Sequence, residues 1–356
     1  MSRDLLLVLV GTEAGIVGLL FLLLLAWPAV RRVSRALRRR GRRNIVETAR
    51  RLHGPGDVGE LRSALARCRP GILLEALEEL EDRDAAPPAV DVQALVRSSR
   101  AYRRIRRAAG SMLWWRRQAA TQLLGLVARE RDDRALLLSL ATDPHPAVST
   151  AALLAIRELG WTSTVEPLLD LAEEERSARG RGELLRETLA HLGAEAVVPP
   201  LRRRIASTRG EHREVELLRI AGRLADPRLA PAVAERLREG GLETRVQAAR
   251  TLGELGDERA VPVLRTALED PAWQVRAQAV RALGRLPAAD AVESLARALS
   301  DPSWWVRLRA ALALRHLGGA GLRALRATDP DRDPYAHEMA RYVLDLEEAA
   351  VREYAR

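Results

Sequence analysis

Residues 270–286 read DPAWQVRAQAVRALGRL, and residues 301–318 read DPSWWVRLRAALALRHLG. The two stretches share one register. Counting from the Asp, apolar residues fall at offsets 5, 9, 13 and 16: Val275, Ala279, Leu283 and Leu286 in one, Val306, Ala310, Leu314 and Leu317 in the other. That spacing lies along one face of an α-helix. Asp-Pro at the start predicts an N-cap and a first-turn proline, and Gly318 supplies a helix stop.

Working outward, EGGLETRVQAARTLGELG from Glu239, DPHPAVSTAALLAIRELG from Asp143 and SMLWWRRQAATQLLGLV from Ser111 fall in the same register. Two weaker copies, without the Asp-Pro and Val-Arg signatures, start at Arg176 and Thr208. Seven starts spaced by 31 to 33 residues define an internal repeat. Between copies runs a second apolar-periodic stretch, such as 229–237, 260–268 and 291–299. Each unit is therefore expected to be helix–turn–helix. Neither helix can bury its stripe alone, so the pairs must stack into an all-α solenoid of about seven helix pairs. The run D-P-x-x-x-V-R-x-x-A-x-x-A-L-G-x-L resembles the short HEAT-like repeat first associated with phycobilin lyases. Asp270, Val275, Arg276, Ala279, Ala282, Leu283, Gly284 and Leu286 carry it most fully, and Arg315 replaces the glycine in the next copy. The resemblance implies a fold; such repeats serve scaffolds, regulators and enzymes alike.

Composition agrees with helices. Of 356 residues, 47% are hydrophobic and only 3% aromatic, which disfavours strand-rich folds. All 58 cationic side chains are Arg, the pattern of a GC-rich genome, so a single Arg carries little meaning. A lone Cys68 excludes an intramolecular disulfide framework or a Cys-based metal site. The six His are scattered, none at the i, i+4 spacing of a helical metal site. No phosphate-binding glycine loop, nucleophile elbow or dinucleotide fingerprint is present. The expectation is a protein with no catalytic centre, no metal and no cofactor.

Leu5 to Val30 carries one charge over 26 residues, about 39 Å as a helix and long enough to cross a bilayer. Eight Arg and no acid follow at 31–43, so the net charge of +10 divides as −1 for 1–30, +8 for 31–43 and +3 beyond. The nearly neutral start and the long apolar run favour a retained anchor over a cleaved signal. The positive-inside rule places the C-terminal side in the cytoplasm, at the inner face of a bacterial membrane with the N-terminus outside. Arg31–Arg43 would meet anionic headgroups at roughly 1 kcal/mol each. Within the span, Gly11, Glu13 and Gly15 have two readings: a contact with a partner's membrane helix, or an outer-interface position for Glu13 with no partner. The expected organisation is a membrane helix at 1–30, the Arg-rich segment at 31–43, a divergent helical region at 44–110, repeats at 111–328 and a closing C-terminal helix within 329–356, drawn as Pro334–Tyr354. Arg97–Arg107 forms a second basic stretch, read as a solvated face or a further headgroup contact.

In stacked pairs the second helix lines the concave face, and its offsets 4, 8, 11 and 15 point away from the buried stripe. These positions hold Arg219, Arg250 and Arg281 at offset 11, Arg223 and Arg285 at offset 15, Arg309 at offset 8, and Trp115 and Trp305 at offset 4. They form either an Arg-rich, aromatic-edged groove for an acidic segment of a protein partner or a merely solvated face. The Trp pairs, placed in the loop before the second helix, either anchor a ligand or fill gaps between repeats. Arg245, Arg276 and Arg307, at offset 6, are expected to bond Asp or carbonyl groups of adjacent repeats. The leading functional expectation is a non-enzymatic membrane-anchored scaffold that binds a protein, with a membrane protein as one partner. Two other classes follow from the resemblance: an enzyme similar to alkylpurine DNA glycosylases, and a phycobilin lyase-like protein. The small charge beyond residue 43 argues against nucleic acid, and no bilin-specific motif is visible.

Overall fold

The computed structural model describes residues 35–52, 58–81, 91–174, 180–286 and 291–347, and among these no strand occurs. No helix of the described residues is long and apolar enough to cross a membrane. The 5–30 stretch, with Gly11, Glu13 and Gly15, lies outside them, as do Arg31 and Arg32. The chain divides into two compact units, Met1–Asp133 and Arg134–Arg356. The division does not fall at 110/111, where the repeat begins in the sequence.

In the first unit, α1 (35–51) is followed by α2 (Gly59–Arg67), α3 (Pro70–Glu81), α4 (Val92–Ser98), α5 (Arg100–Ala109) and α6 (Trp114–Val127). The described part of the Arg-rich run, 35–43, lies in α1, which continues unbroken across residue 43. Its Arg42 pairs with Glu79 at 3.1 Å, and Ile45, Val46 and Ala49 enter the core with Leu61, Leu73, Ile105 and Leu124. Each fully buried Leu or Ile contributes about 1.5–3 kcal/mol. The second basic stretch is partly consumed locally: Arg104 donates to the Ala66 carbonyl at 2.8 Å, and Arg106 reaches buried Asp133 at 3.4 Å.

The second unit is two layers of helices. One holds the second helices of the pairs: α8 (Pro146–Leu159), α10 (Gly182–His191), α12 (Glu211–Leu224), α14 (Leu242–Leu255), α16 (Trp273–Leu283), α18 (Trp304–His316) and α20 (Pro334–Asp345). The other holds the first helices: α9 (Val165–Glu173), α11 (Ala194–Ser207), α13 (Ala230–Glu239), α15 (Val261–Thr266, continued by a 3-10 turn to Glu269), α17 (Ala291–Ala298) and α19 (Gly319–Arg326). A further helix, α7 (Glu130–Ala141), straddles the division between the units. Successive helices of the second-helix layer, α8 to α20, pack side by side, as do α9 to α15 and α17 with α19 in the other layer.

The repeat register predicted these helices closely. Helices α6, α8, α12, α14, α16 and α18 all begin three residues after the start of their copy. Offsets 9 and 13 are buried in every copy, from Ala120 and Leu124 to Ala310 and Leu314. Helices α8 and α14 end in left-handed Gly160 (φ 65°) and Gly256 (φ 69°), where a side chain would be strained.

Three expectations are corrected. The Asp of Asp-Pro is not the N-cap: Asp270 and Asp301 accept the N–H two residues on, at 2.8 and 2.7 Å, and shape the turn before the helix. The Trp residues are not in that turn; Trp114, Trp273 and Trp304 open their helices. The closing helix stops at Asp345, where Leu346 is extended, and its position makes it the second helix of an eighth pair, with α19 as the first.

Glycine explains how closely the second helices approach. At offset 14, a Cβ on Gly253 would lie 2.8 Å from Ala282 Cα, and one on Gly284 would lie 2.6 Å from Ala313 Cβ. The fourth copy has Gly222, whose missing side chain makes room for the Glu254 carboxylate. In the seventh copy the position is Arg315, which reaches over the end of α20 to the carbonyls of Val343 and, at 2.8 Å, Leu346. There the spacer of the stack becomes a cap for its last helix.

Candidate functional site

The offset-11 and offset-15 residues do lie on the solvent side of the second-helix layer: Arg219, Arg223, Arg250 and Arg285 are exposed and Arg281 is half-buried. They do not form one uniform strip. Arg219 pairs with Glu216 at 3.3 Å, and Arg223 with Glu187 at 3.3 Å. Glu216 is 4% exposed and also takes Arg186 of α10, which bonds Glu183 at 2.8 Å. Cation and anion are matched here, and this end of the row offers no net attraction to an acidic ligand. Trp115 belongs to the first unit, where it is 53% exposed and meets Trp114 edge-on with ring centroids 6.0 Å apart.

The other end differs. Arg281 is held below its ordinary value first by burial and then by the like charges of Arg285, Arg309 and Arg250. Burial does the same to Arg309. Arg250 has Glu254 at 2.9 Å, whereas Arg285 and Arg309 have no ion pair among the described residues. Arg281 thus stands among three like charges and one carboxylate, and an incoming anion would offset the repulsion. The floor beneath them is polar. Gln247 donates to Thr251 Oγ1 at 3.2 Å, and Gln278 Oε1 is buried with no hydrogen-bond partner in the described structure. One turn before Arg309, Trp305 is 51% exposed and stands edge-on to Trp304, with centroids 4.8 Å apart.

The contrast with the offset-6 arginines is chemical. Hydrogen bonds to Asp270 and Asp301 lift Arg245 and Arg276 above their ordinary values. Arg276 places Nε and Nη2 on the two Asp301 oxygens at 2.7 and 2.9 Å, a bidentate bond between successive repeats. Aspartate bonds raise Arg245 and Arg276, whereas burial lowers Arg281 and Arg309. Helical spacing carries part of this: Glu216–Arg219 and Arg250–Glu254 are i, i+3 and i, i+4 pairs. The Glu187–Arg223 bond joins two different copies and has no local signal. Among the described residues no three His, Cys, Asp or Glu side chains gather as a metal site.

No curated protein matches the chain by sequence. The family of HEAT repeats matches residues 198–272 and 262–344. Among solved structures, Kap121p bound to Nup53p is similar over 84% of this chain and 41% of that one, at 11% identity and a TM-score of 0.55. Kap121p bound to the extreme C-terminus of the protein phosphatase Cdc14p is similar over 81% of this chain and 37% of that one, at 13% identity and a TM-score of 0.51. The CpcE–CpcF complex of phycocyanin lyase from Nostoc is similar over 62% of this chain and 92% of that one, at 18% identity and a TM-score of 0.35. At such identities the likeness is one of fold.

Proposed function

We propose that this chain, a HEAT-like repeat protein, is a non-enzymatic scaffold that binds an acidic segment of a protein partner on the exposed face of α14, α16 and α18. The observation that carries this reading is the Arg281–Arg285–Arg309 cluster, in which burial and like charge hold guanidinium groups below their ordinary values. Trp305 edges the cluster, and Trp and Arg are the residue types most often found as binding anchors. The Kap121p structures, each similar in fold, hold protein segments from Nup53p and Cdc14p. A stack of helix pairs with a charged second-helix face suits the same kind of task here.

The apolar 5–30 stretch and the Arg run after it support anchoring at the inner face of a bacterial membrane, with the stack in the cytoplasm. Tethering of this kind raises the local concentration of a membrane partner without any chemistry.

The test is capture of crosslinked partners from native membranes. Exchanging Arg281, Arg285 and Arg309 together for Glu should abolish capture while helicity and melting temperature hold. Exchanging Arg219 and Arg223, already matched by Glu216 and Glu187, should reduce capture far less. Equal capture by the first variant and the unaltered chain would refute the reading.

A further inference from the structure

The Asp–Arg bonds between repeats form a ladder, and its last arginine has a distinctive setting. Arg245 holds Asp270 through Nε and Nη2 at 2.8 and 3.1 Å, and Arg276 holds Asp301 in the same way. Both turn Nη1 back onto loop carbonyls of their own repeat, Arg276 onto those of Asp270 and Pro271 at 2.8 and 3.2 Å. In each rung the acceptor stands 25 residues after the arginine.

Arg307 is the next member. Its Nη1 bonds the Asp301 and Pro302 carbonyls at 2.8 and 3.1 Å, so the side chain adopts the same pose. The residue 25 positions on is Arg332, and Asp331, which stands three residues before α20 as Asp270 and Asp301 stand before their helices, makes no ion pair with Arg307 among the described residues. Arg307 Nε is buried and has no hydrogen-bond partner in the described structure. The carboxylates around it make other hydrogen bonds and leave its Nε without an acceptor. Asp329 accepts the Asp331 N–H at 2.9 Å. Asp333 caps α20 through the Ala336 N–H at 2.9 Å and bonds Ser300; the Arg307 charge also acts on it, but no direct Asp333–Arg307 ion pair forms among the described residues. The Tyr335 ring lies over the guanidinium, 5.5 Å from Cζ to centroid, and is two-thirds exposed. Ser300, Asp301, Pro302, Arg307, Asp333 and Tyr335 line a cleft of about 400 Å³, a volume within the roughly 300–1,000 Å³ of small-ligand sites.

We propose that this cleft binds an aspartate or glutamate side chain from an acidic peptide segment of a partner protein. Arg307 Nε and Nη2 take the carboxylate in the bidentate geometry of the two preceding rungs, and Tyr335 packs against the peptide beside it. Two copies of this carboxylate fork already stand in the same fold, so the recognition chemistry needs no new arrangement. The Asp333 charge in the same cleft disfavours a dianion such as phosphate more than a single carboxylate. This site is separate from the Arg281 cluster, and each can fail without the other.

The experiment uses the full-length chain in detergent and a fluorescein-labelled peptide of alternating Asp and Gly, read by anisotropy, with an Asn–Gly peptide as control. All measurements are made in the Arg281→Glu, Arg285→Glu, Arg309→Glu background, which silences the other cationic site. The Asp peptide should bind and the Asn peptide should not. Arg307→Gln should weaken binding at least tenfold. Arg332→Asp, which places a carboxylate at the exposed position 25 residues after Arg307, should also weaken it at least tenfold and leave the melting temperature equal or higher. Binding unaltered by either substitution, or no binding of the Asp peptide at all, overturns the proposal. Failure of succinate to displace the peptide at hundredfold excess supports a peptide ligand; displacement at equal concentration assigns the cleft to a small dicarboxylate and overturns it.

Discussion

One cation type, arginine, fills three roles in this protein, and the number of carboxylates around each residue separates them. Arg276 bonds Asp301 twice and two loop carbonyls besides, and the side chains of both partners are largely buried, at 13% and 9% exposed. Arg276→Ala would strand Asp301 without its partner, and we expect a loss of about 3–5 kcal/mol in chemical denaturation. Arg259→Ala removes only a pair local to Asp257, whose arginine is 77% exposed, and should leave the transition unmoved. At Cys68 the signal is reactivity. Burial pushes its thiol up to about 11 from an ordinary 9.0, so at pH 8 its thiolate fraction is lower by about 100-fold. A maleimide or disulfide reagent should modify it correspondingly more slowly than a free thiol of ordinary pKa, and recover its rate once the chain is unfolded. Equal rates for folded and unfolded chain would count against the burial. The offset-6 arginines were legible from sequence because their spacing recurs. The Glu216–Arg186 and Glu187–Arg223 bonds were not, because each joins copies whose register the sequence signals weakly.

At the scale of helices, the decisive residues are small. In an exposed helix Gly→Ala stabilises by roughly 1 kcal/mol. At Gly253 the added Cβ would sit 2.8 Å from the backbone of Ala282, so Gly253→Ala should instead destabilise by about 1–3 kcal/mol in a thermal melt. The sign of this single measurement tests whether α14 and α16 touch as described. Helix identity and start points were readable from the 31-residue period because a helix must expose or bury a residue every 3.6 positions. Caps were less readable. Asp-Pro resembles a capping signal, yet its Asp serves the preceding turn and the Arg of the neighbouring repeat. Arg315 likewise appears as a lapse in the repeat pattern until α20 is placed beneath it.

For the whole molecule, the proposed membrane orientation rests on charge distribution. Eight of the ten net positive charges fall at 31–43, directly after the apolar stretch, which supports a cytoplasmic repeat region. In inverted vesicles, protease added outside should digest residues beyond the Arg run, and protease sealed inside should leave them intact. Protection from the external protease would reverse the proposed orientation. Residues 35–43 of that run belong to α1, whose Arg42 docks on Glu79.

The repeat period, helical identity, solvent-facing rows and ladder spacing were determined by the sequence alone, because each is set by residues at fixed separations along one chain. Which arginines keep a carboxylate was decided only in three dimensions. Glu254, seated where Gly222 has no side chain, serves Arg250, while Arg285 and Arg309 on the same face meet no acid among the described residues. Electrostatic surplus depends on distances between separate helices, and those distances follow from how tightly glycine and alanine let the helices pack.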